Sequence, residues 1–373
     1  MDIRLYTQML EIDSTSGRER GLADFLAVSM MTDRNTLRRF DVESMRADTP
    51  EGCEVPQNLF FSWGTPKVIF CSHLDTVPPY IAPHIDGSMA TGRGTCDAKG
   101  QIFAMWEACK ALEDMGMTDF GLLLLAGEET GSFGAKAFNS VISGEAGISP
   151  DAWVIVGEPT DNCMATAEKG TKSYDVTFSG KSCHSGYPEL GASAIMYFND
   201  FVNALRSIVF PVDEVLGETT WNIGDLVSAN PQNILSDRLT CRIYFRTTFE
   251  SDEMVRNIMK NIAGPDARLR FGRPAVQDGS DIVAKSVAPW QEAMSVNLRG
   301  GDAPTRFEVL DGFPVKAVAF GSDAPVLKCF RHRILCGPGS IHVAHRPDEH
   351  INIEDIETAV RNYIKMAQRI LEQ

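Results

Sequence analysis

At 373 residues the chain exceeds one ordinary core and is expected to form two domains of roughly 100–200 residues each. Its 43% hydrophobic and 23% charged content is that of a globular protein, and no run approaches the ~20 apolar residues that would span a bilayer, so a membrane partner is not expected. A net charge of −15 with no basic stripe argues against a nucleic-acid partner.

Residues 5–31 read as helix, with Leu10, Ile12, Leu22, Phe25 and Leu26 apolar about a break at Ser14-Thr15-Ser16-Gly17, and the polar stretch 41–56 reads as loop. The apolar run Val68-Ile69-Phe70-Cys71 predicts a buried strand that carries His73 and Asp75 to its carboxyl end. A glycine-rich turn follows, Gly92-Arg93-Gly94-Thr95-Cys96-Asp97-Ala98-Lys99-Gly100. It opens a helix over 101–115 whose Ile102, Met105, Trp106, Cys109 and Leu112 share one face. A strand over 122–126 completes a βαβ unit with parallel strands expected, and Trp153-Val154-Ile155-Val156 adds another strand, ending in Gly157-Glu158-Pro159-Thr160.

From Gly170 the pattern changes. Tyr174, Val176 and Phe178 alternate with polar residues, a helix carries Ile195, Phe198, Val202, Leu205 and Val209, and strands are expected over 220–227 and 238–246. Ser251 can cap a helix with Val255, Ile258, Met259 and Ile262, and 267–271 is expected as a last strand. This βαββαβ order predicts an inserted ferredoxin-like domain over 170–283, with 275–284 leading back to a catalytic domain made of 1–169 and 284–373. Beyond it, 290–298 reads as helix, 315–320 and 333–336 as strands, and 353–371 as a closing helix buried through Ile356, Val360, Ile364, Ala367 and Leu371. Nine cysteines without a CxxC pair suit reduced thiols and a cytoplasmic location better than a disulfide framework.

Three strands thus end in possible metal ligands: His73, the pair Glu128-Glu129, and Glu158. Open α/β sheets bind ligands at the carboxyl ends of their strands, so these side chains are expected to converge. Imidazoles together with carboxylates suit Zn²⁺ and also allow Co²⁺ or Mn²⁺. With Asp97 bridging two ions, His73, Asp97 and Glu158 would hold one, and His345, Asp97 and Glu129 the other. Adjacent side chains at a strand end point apart, which leaves Glu128 free to act as general base and acid, and Asp75 can reach the far ring nitrogen of His73. His84, His332, His342 and His350 read as ordinary surface or core residues.

The motifs Ser72-His73-Leu74-Asp75, Gly92 through Gly100, Gly127-Glu128-Glu129-Thr130-Gly131, Gly157-Glu158-Pro159-Thr160 and Gly337-Pro338-Gly339-Ser340 through His345 resemble those of the dinuclear-zinc aminoacylase and carboxypeptidase family. The likeness runs in order along nearly the whole chain, and its wording is nearest to the acetylornithine deacetylase branch. It implies an α/β zinc-peptidase-like mixed sheet with flanking helices and an inserted lid domain that makes a homodimer contact. It also implies that His184, in Gly180-Lys181-Ser182-Cys183-His184-Ser185-Gly186, steadies the oxyanion in the partner's site, and that the Asp97–Ala98 peptide is cis. Asn233, Arg246 and Ser322 match its substrate-binding positions. The implied reaction removes an N-acyl group from a small amino acid: water attacks the amide carbonyl, and Glu128 takes a proton and returns it to the leaving amine. A dipeptidase, carboxypeptidase or desuccinylase of the same family is the nearer alternative, and a non-catalytic binding protein the remote one.

Overall fold

The computed structural model of the chain describes residues 1–141, 148–272 and 286–372. The chain divides into two compact units, one of Met1–Thr166, Arg306–Val318 and Ser322–Gln373, the other of Ala167–Thr305 and Ala319–Gly321. The expected return segment 275–284, with the domain boundary inside it, lies outside the described residues.

The first unit is built on a six-stranded sheet ordered Thr36–Asp41, Gln57–Trp63, Phe120–Leu125, Val68–His73, Trp153–Val156, His332–Leu335. The last four strands are parallel, and Gln57–Trp63 runs antiparallel to both of its neighbours. Every residue of Val68–His73 and Phe120–Leu125 is buried, which is why both read as unbroken apolar runs rather than alternations. The first two strands went unread in the sequence. Thr36–Asp41 sits at the sheet edge with a mostly exposed, arginine-containing face, so it carries no apolar signal.

Helices Arg4–Glu11, Arg20–Ser29, Lys99–Asp114 and Ile353–Leu371 flank this sheet and share its core. Tyr6 stacks on Phe103 at 5.2 Å and donates its hydroxyl to the Thr95 carbonyl at 2.8 Å, so the first helix braces the Asp97 turn. Tyr363 of the closing helix packs 5.5 Å from Phe70 and donates to the Cys336 carbonyl at 2.9 Å. The helix therefore ties the ligand-bearing strand to the chain that leads to His345.

The second unit holds a four-stranded antiparallel sheet ordered Thr220–Val227, Arg238–Thr247, Gly170–Ser179, Met294–Gly300. Helices Ala194–Arg206 and Asp252–Asn261 pack on it through a core containing Phe178, Phe201, Ile243 and Trp290. The βαββαβ order holds, but its last strand is Met294–Gly300 and not 267–271. Two expectations fail. Buried Gln291 donates to the Ile262 and Leu269 carbonyls and accepts the Phe271 and Ala288 N–H groups, so the Leu269 carbonyl and the Phe271 N–H are taken by a side chain and not by a ladder. The helix expected over 290–298 is only Pro289–Glu292. Beyond it, Met294 pairs with Phe178 and Leu298 with Tyr174. Among the described residues no helix is long and apolar enough to cross a membrane.

Candidate metal centre and active site

His73, Glu129 and Glu158 sit at the carboxyl ends of parallel strands, whereas the Asp97 turn follows Met89–Thr91 of a small antiparallel sheet. His73 is the last residue of its own strand, and Glu158 follows Trp153–Val156 after one glycine. Gly127 turns the chain after Phe120–Leu125 into the short helix Glu128–Gly131. Its φ of +70° suits glycine, and a Cβ there would meet Met45 Sδ at 2.5 Å.

The two oxygens of Asp97 face different imidazoles, Oδ1 at 3.0 Å from His73 Nε2 and Oδ2 at 3.2 Å from His345 Nε2. His345 Nε2 also lies 2.9 Å from Glu129 Oε1. Ligand atoms of His73, Asp97 and Glu129 all fall within 4.8 Å of one another. His345 has a φ of +63° and a half-exposed side chain, so it reaches in from a turn, whereas His73 is fixed by the sheet. The Asp97–Ala98 peptide is cis.

The ring of His73 is held from behind by the carbonyl of Asp75, 2.9 Å from Nδ1, while the Asp75 carboxylate stands 3.6 Å away. That carboxylate accepts the N–H of Glu128 at 3.0 Å, the N–H of Glu129 at 3.2 Å and the Ser16 hydroxyl at 2.8 Å. The expected orienting residue is in reach, but its main chain makes the ring contact.

Electrostatics follow from crowding acids in a buried place. Burial pushes the Glu128 and Glu158 carboxyls well above the usual range, with the charges of neighbouring acids adding to it, and Glu129 is raised by burial and by Asp97. Burial opposes ionisation of Asp97 too, yet its hydrogen bonds to His345 and His73 hold it well below the ordinary value. The bonds from Asp97 and Glu129 lift His345 to about 10. Glu158 Oε1 decides whether the set fits a cation. It is buried, has no hydrogen-bond partner among the described residues, and lies 3.9 Å from the His73 nitrogen that meets Asp97. An orphaned acid oxygen beside two inward-facing imidazoles and a shared carboxylate is a donor set for a divalent metal.

Several residues of this neighbourhood were given no role from sequence. Glu349 is fully buried and accepts the N–H groups of Cys96 and Asp97, and it pairs with Arg93. Glu19 is buried near Asp75, and Asp323 near Ser132. In sequence each looks like a surface acid: Glu349 lies four residues after His345 and Asp323 next to Ser322, but neither position carries a signal of burial.

Ser322 is buried in the first unit, and its Oγ accepts the Ala324 N–H at 3.2 Å. His184, Asn233 and Arg246 belong to the second unit. His184 and Asn233 are exposed on neighbouring segments, with the Ser185 N–H donating to the Asn233 carbonyl at 2.9 Å. Arg246 is half-buried with its guanidinium 4.8 Å over the Tyr244 ring.

A mixed sheet with acids and imidazoles at the carboxyl ends of its parallel strands, in a chain that also carries an inserted βαββαβ unit, is the make-up of an amide-bond hydrolase of the metallopeptidase type. The chain belongs to the Peptidase family M20/M25/M40, which it matches over residues 69–369. It is 29% identical over 400 residues to a probable carboxypeptidase of Aspergillus niger, a match that covers 100% of this chain and 90% of that protein. Its fold is similar to that of a tripeptidase from Staphylococcus aureus, with a TM-score of 0.75 at 17% identity over 99% of this chain and 97% of the other. It is also similar to a dinuclear metal binding peptidase of the M20 family from Bacillus subtilis, with a TM-score of 0.66 at 11% identity over 99% and 97%. The expected α/β class with an inserted domain agrees with these folds. The acetylornithine deacetylase branch finds no support in them, since the fungal relative is described as a carboxypeptidase.

Proposed function

We propose that this chain is a two-metal carboxypeptidase-type hydrolase that cleaves the amide bond to a terminal amino acid bearing a free carboxylate, in a dipeptide or short peptide. The observation that carries the reading is the shared Asp97 carboxylate, one oxygen toward His73 and the other toward His345. His73 and Glu158 would complete one side and His345 and Glu129 the other, with Zn²⁺ the leading ion and Co²⁺ or Mn²⁺ able to replace it. Bound divalent ions would polarise the scissile carbonyl and lower the pKa of the attacking water. Glu128, buried and raised in pKa, takes the proton of that water and hands it to the departing nitrogen. Asp75 fixes both the His73 ring and the start of the Glu128 turn.

His184, Asn233 and Arg246 of the second unit and Ser322 of the first take the remaining roles in this reading. His184 holds the oxyanion in the partner's site, Arg246 forks onto the substrate carboxylate, and Asn233 and Ser322 line the substrate end. A homodimer through that unit is supported by exposed Leu226 and Val227 on its outermost strand and by Met196 on its helix.

Deacetylation of N-acetyl-L-ornithine is a second reading, favoured by the Gly337-Pro338-Gly339-Ser340 and His345-Arg346-Pro347-Asp348-Glu349 wording. A panel of dipeptides, tripeptides, N-acetyl-ornithine, N-acetyl-citrulline and N-succinyl-diaminopimelate separates the two. Release of carboxyl-terminal residues with the acetylated amino acids untouched is the expected result, and the reverse pattern overturns it. Chelation should abolish turnover and added Zn²⁺ or Co²⁺ restore it; activity that survives complete metal removal would end the metallohydrolase reading.

A further inference from the structure

Glu349 and Arg93 form an ion pair that is 0% and 2% exposed, joining chain segments 256 residues apart at 2.6 Å between Oε2 and a guanidinium nitrogen. Both partners make further hydrogen bonds. Glu349 Oε1 accepts the N–H of Cys96 at 3.0 Å and of Asp97 at 3.1 Å. Arg93 also donates to the carbonyls of Pro79 at 3.4 Å and Arg346 at 3.3 Å. The Glu349 carbonyl accepts the Gly92 N–H at 3.0 Å, so the two segments are laced on both sides of the pair. One end of this lacing is the backbone of Asp97, and the other is the residue directly after His345.

The two imidazoles are anchored by different means. His73 sits in a sheet interior, paired with Leu125 on the neighbouring strand and held by the Asp75 carbonyl. His345 belongs to a turn, and its separation from Asp97 depends on how the 345–349 segment is fastened to the 92–97 turn. That fastening is the buried pair, next to the ladder that sets His350 opposite Thr91.

We infer that Glu349 and Arg93 are positioning residues that set His345 against Asp97, and that they govern ion binding on the His345 side of the centre while leaving the His73 side intact. This rests on the two-ion reading above. Glu349→Gln keeps an oxygen for the Cys96 and Asp97 amides but turns an NH₂ toward Arg93. Arg93→Lys keeps the buried charge but loses the planar fork whose Nε reaches the Pro79 carbonyl while one terminal nitrogen reaches Glu349 and the Arg346 carbonyl.

The test is a Zn²⁺ titration of chelator-stripped full-length protein, read by calorimetry and by metal content after desalting, with circular dichroism as the folding control. Wild type should take up two ions. In Glu349→Gln and Arg93→Lys one ion should bind as in wild type and the other about 10–100-fold more weakly, a typical loss for a residue that orients a ligand. The titration should resemble that of His345→Ala and not that of His73→Ala. Wild-type binding of both ions, or parallel weakening of both, overturns the inference; should Glu349→Gln fail to fold, Arg93→Lys decides alone. A wild type that binds fewer than two ions sinks the two-ion reading itself, and the inference with it.

Discussion

Asp75 accepts the backbone N–H of Glu128 at 3.0 Å, so the residue two positions after a metal-facing histidine also fixes the start of the turn that carries the proposed base. Its other oxygen takes the Glu129 N–H and the Ser16 hydroxyl, which leaves a buried carboxylate serving three donors. Asp75→Asn would set an NH₂ group against at least one of those donors. Turnover is expected to fall about 10–100-fold with fold and metal content retained. Steady-state kinetics on metal-reconstituted protein check this, and turnover near that of wild type would remove Asp75 from its positioning role.

Glu128 makes a sharper case. Burial, reinforced by the charges of Glu158, Asp323 and Glu129, raises its pKa well above that of a free carboxylate. Glu128→Gln preserves shape and the N–H to Asp75 but cannot accept a proton. Loss of about 10²–10⁴-fold in kcat is expected, with metal content unchanged. A variant that keeps both its metal and most of its turnover would hand the role to another group.

The legible parts of this chain were those where burial writes itself into composition. Val68–His73, Phe120–Leu125 and Trp153–Val156 lie inside a parallel sheet, so their apolar runs and the ligands at their ends could be read together. The meeting of Asp97 with His345 has no local signal and was reachable only through the combined motifs. Glu349 was out of reach because an acid that ends buried against Arg93 is spelled like any solvated one. Thr36–Asp41 was missed because an edge strand carries polar residues, and Met294–Gly300 because apolar Trp290, Met294 and Leu298 fall at helical spacing.

Gln291 holds the 267–271 segment by its side chain, and this can be tested. Its side chain makes four hydrogen bonds to the backbone of Ile262, Leu269, Phe271 and Ala288. Gln291→Leu fills similar volume but strands those groups, at about 1–3 kcal/mol for each one left buried and unpaired. The second unit should unfold at markedly lower urea concentration, followed by tryptophan fluorescence from Trp290. A change within about 0.5 kcal/mol, the scale of an ordinary surface substitution, would show that the four bonds do not hold the segment.

Glu19 ties stability to pH. Burial, with the charge of Asp75 behind it, raises its carboxyl to about 8, while the nearby backbone amides of Gly17 and Gly127 pull the other way and do not win. The unfolded chain restores a value of about 4.3. A folded pKa above the unfolded one means that the native state holds the extra proton across this window. The stability Glu19 contributes is therefore full below the unfolded value and is lost as pH rises through about 8. Glu19→Gln is neutral throughout and removes that slope. Relative to wild type its stability should climb between pH 5 and pH 8, on the order of 1 kcal/mol per pH unit. Thermal melts of both proteins across that range provide the comparison, and a difference that stays flat with pH would mean that Glu19 is already ionised in the folded protein.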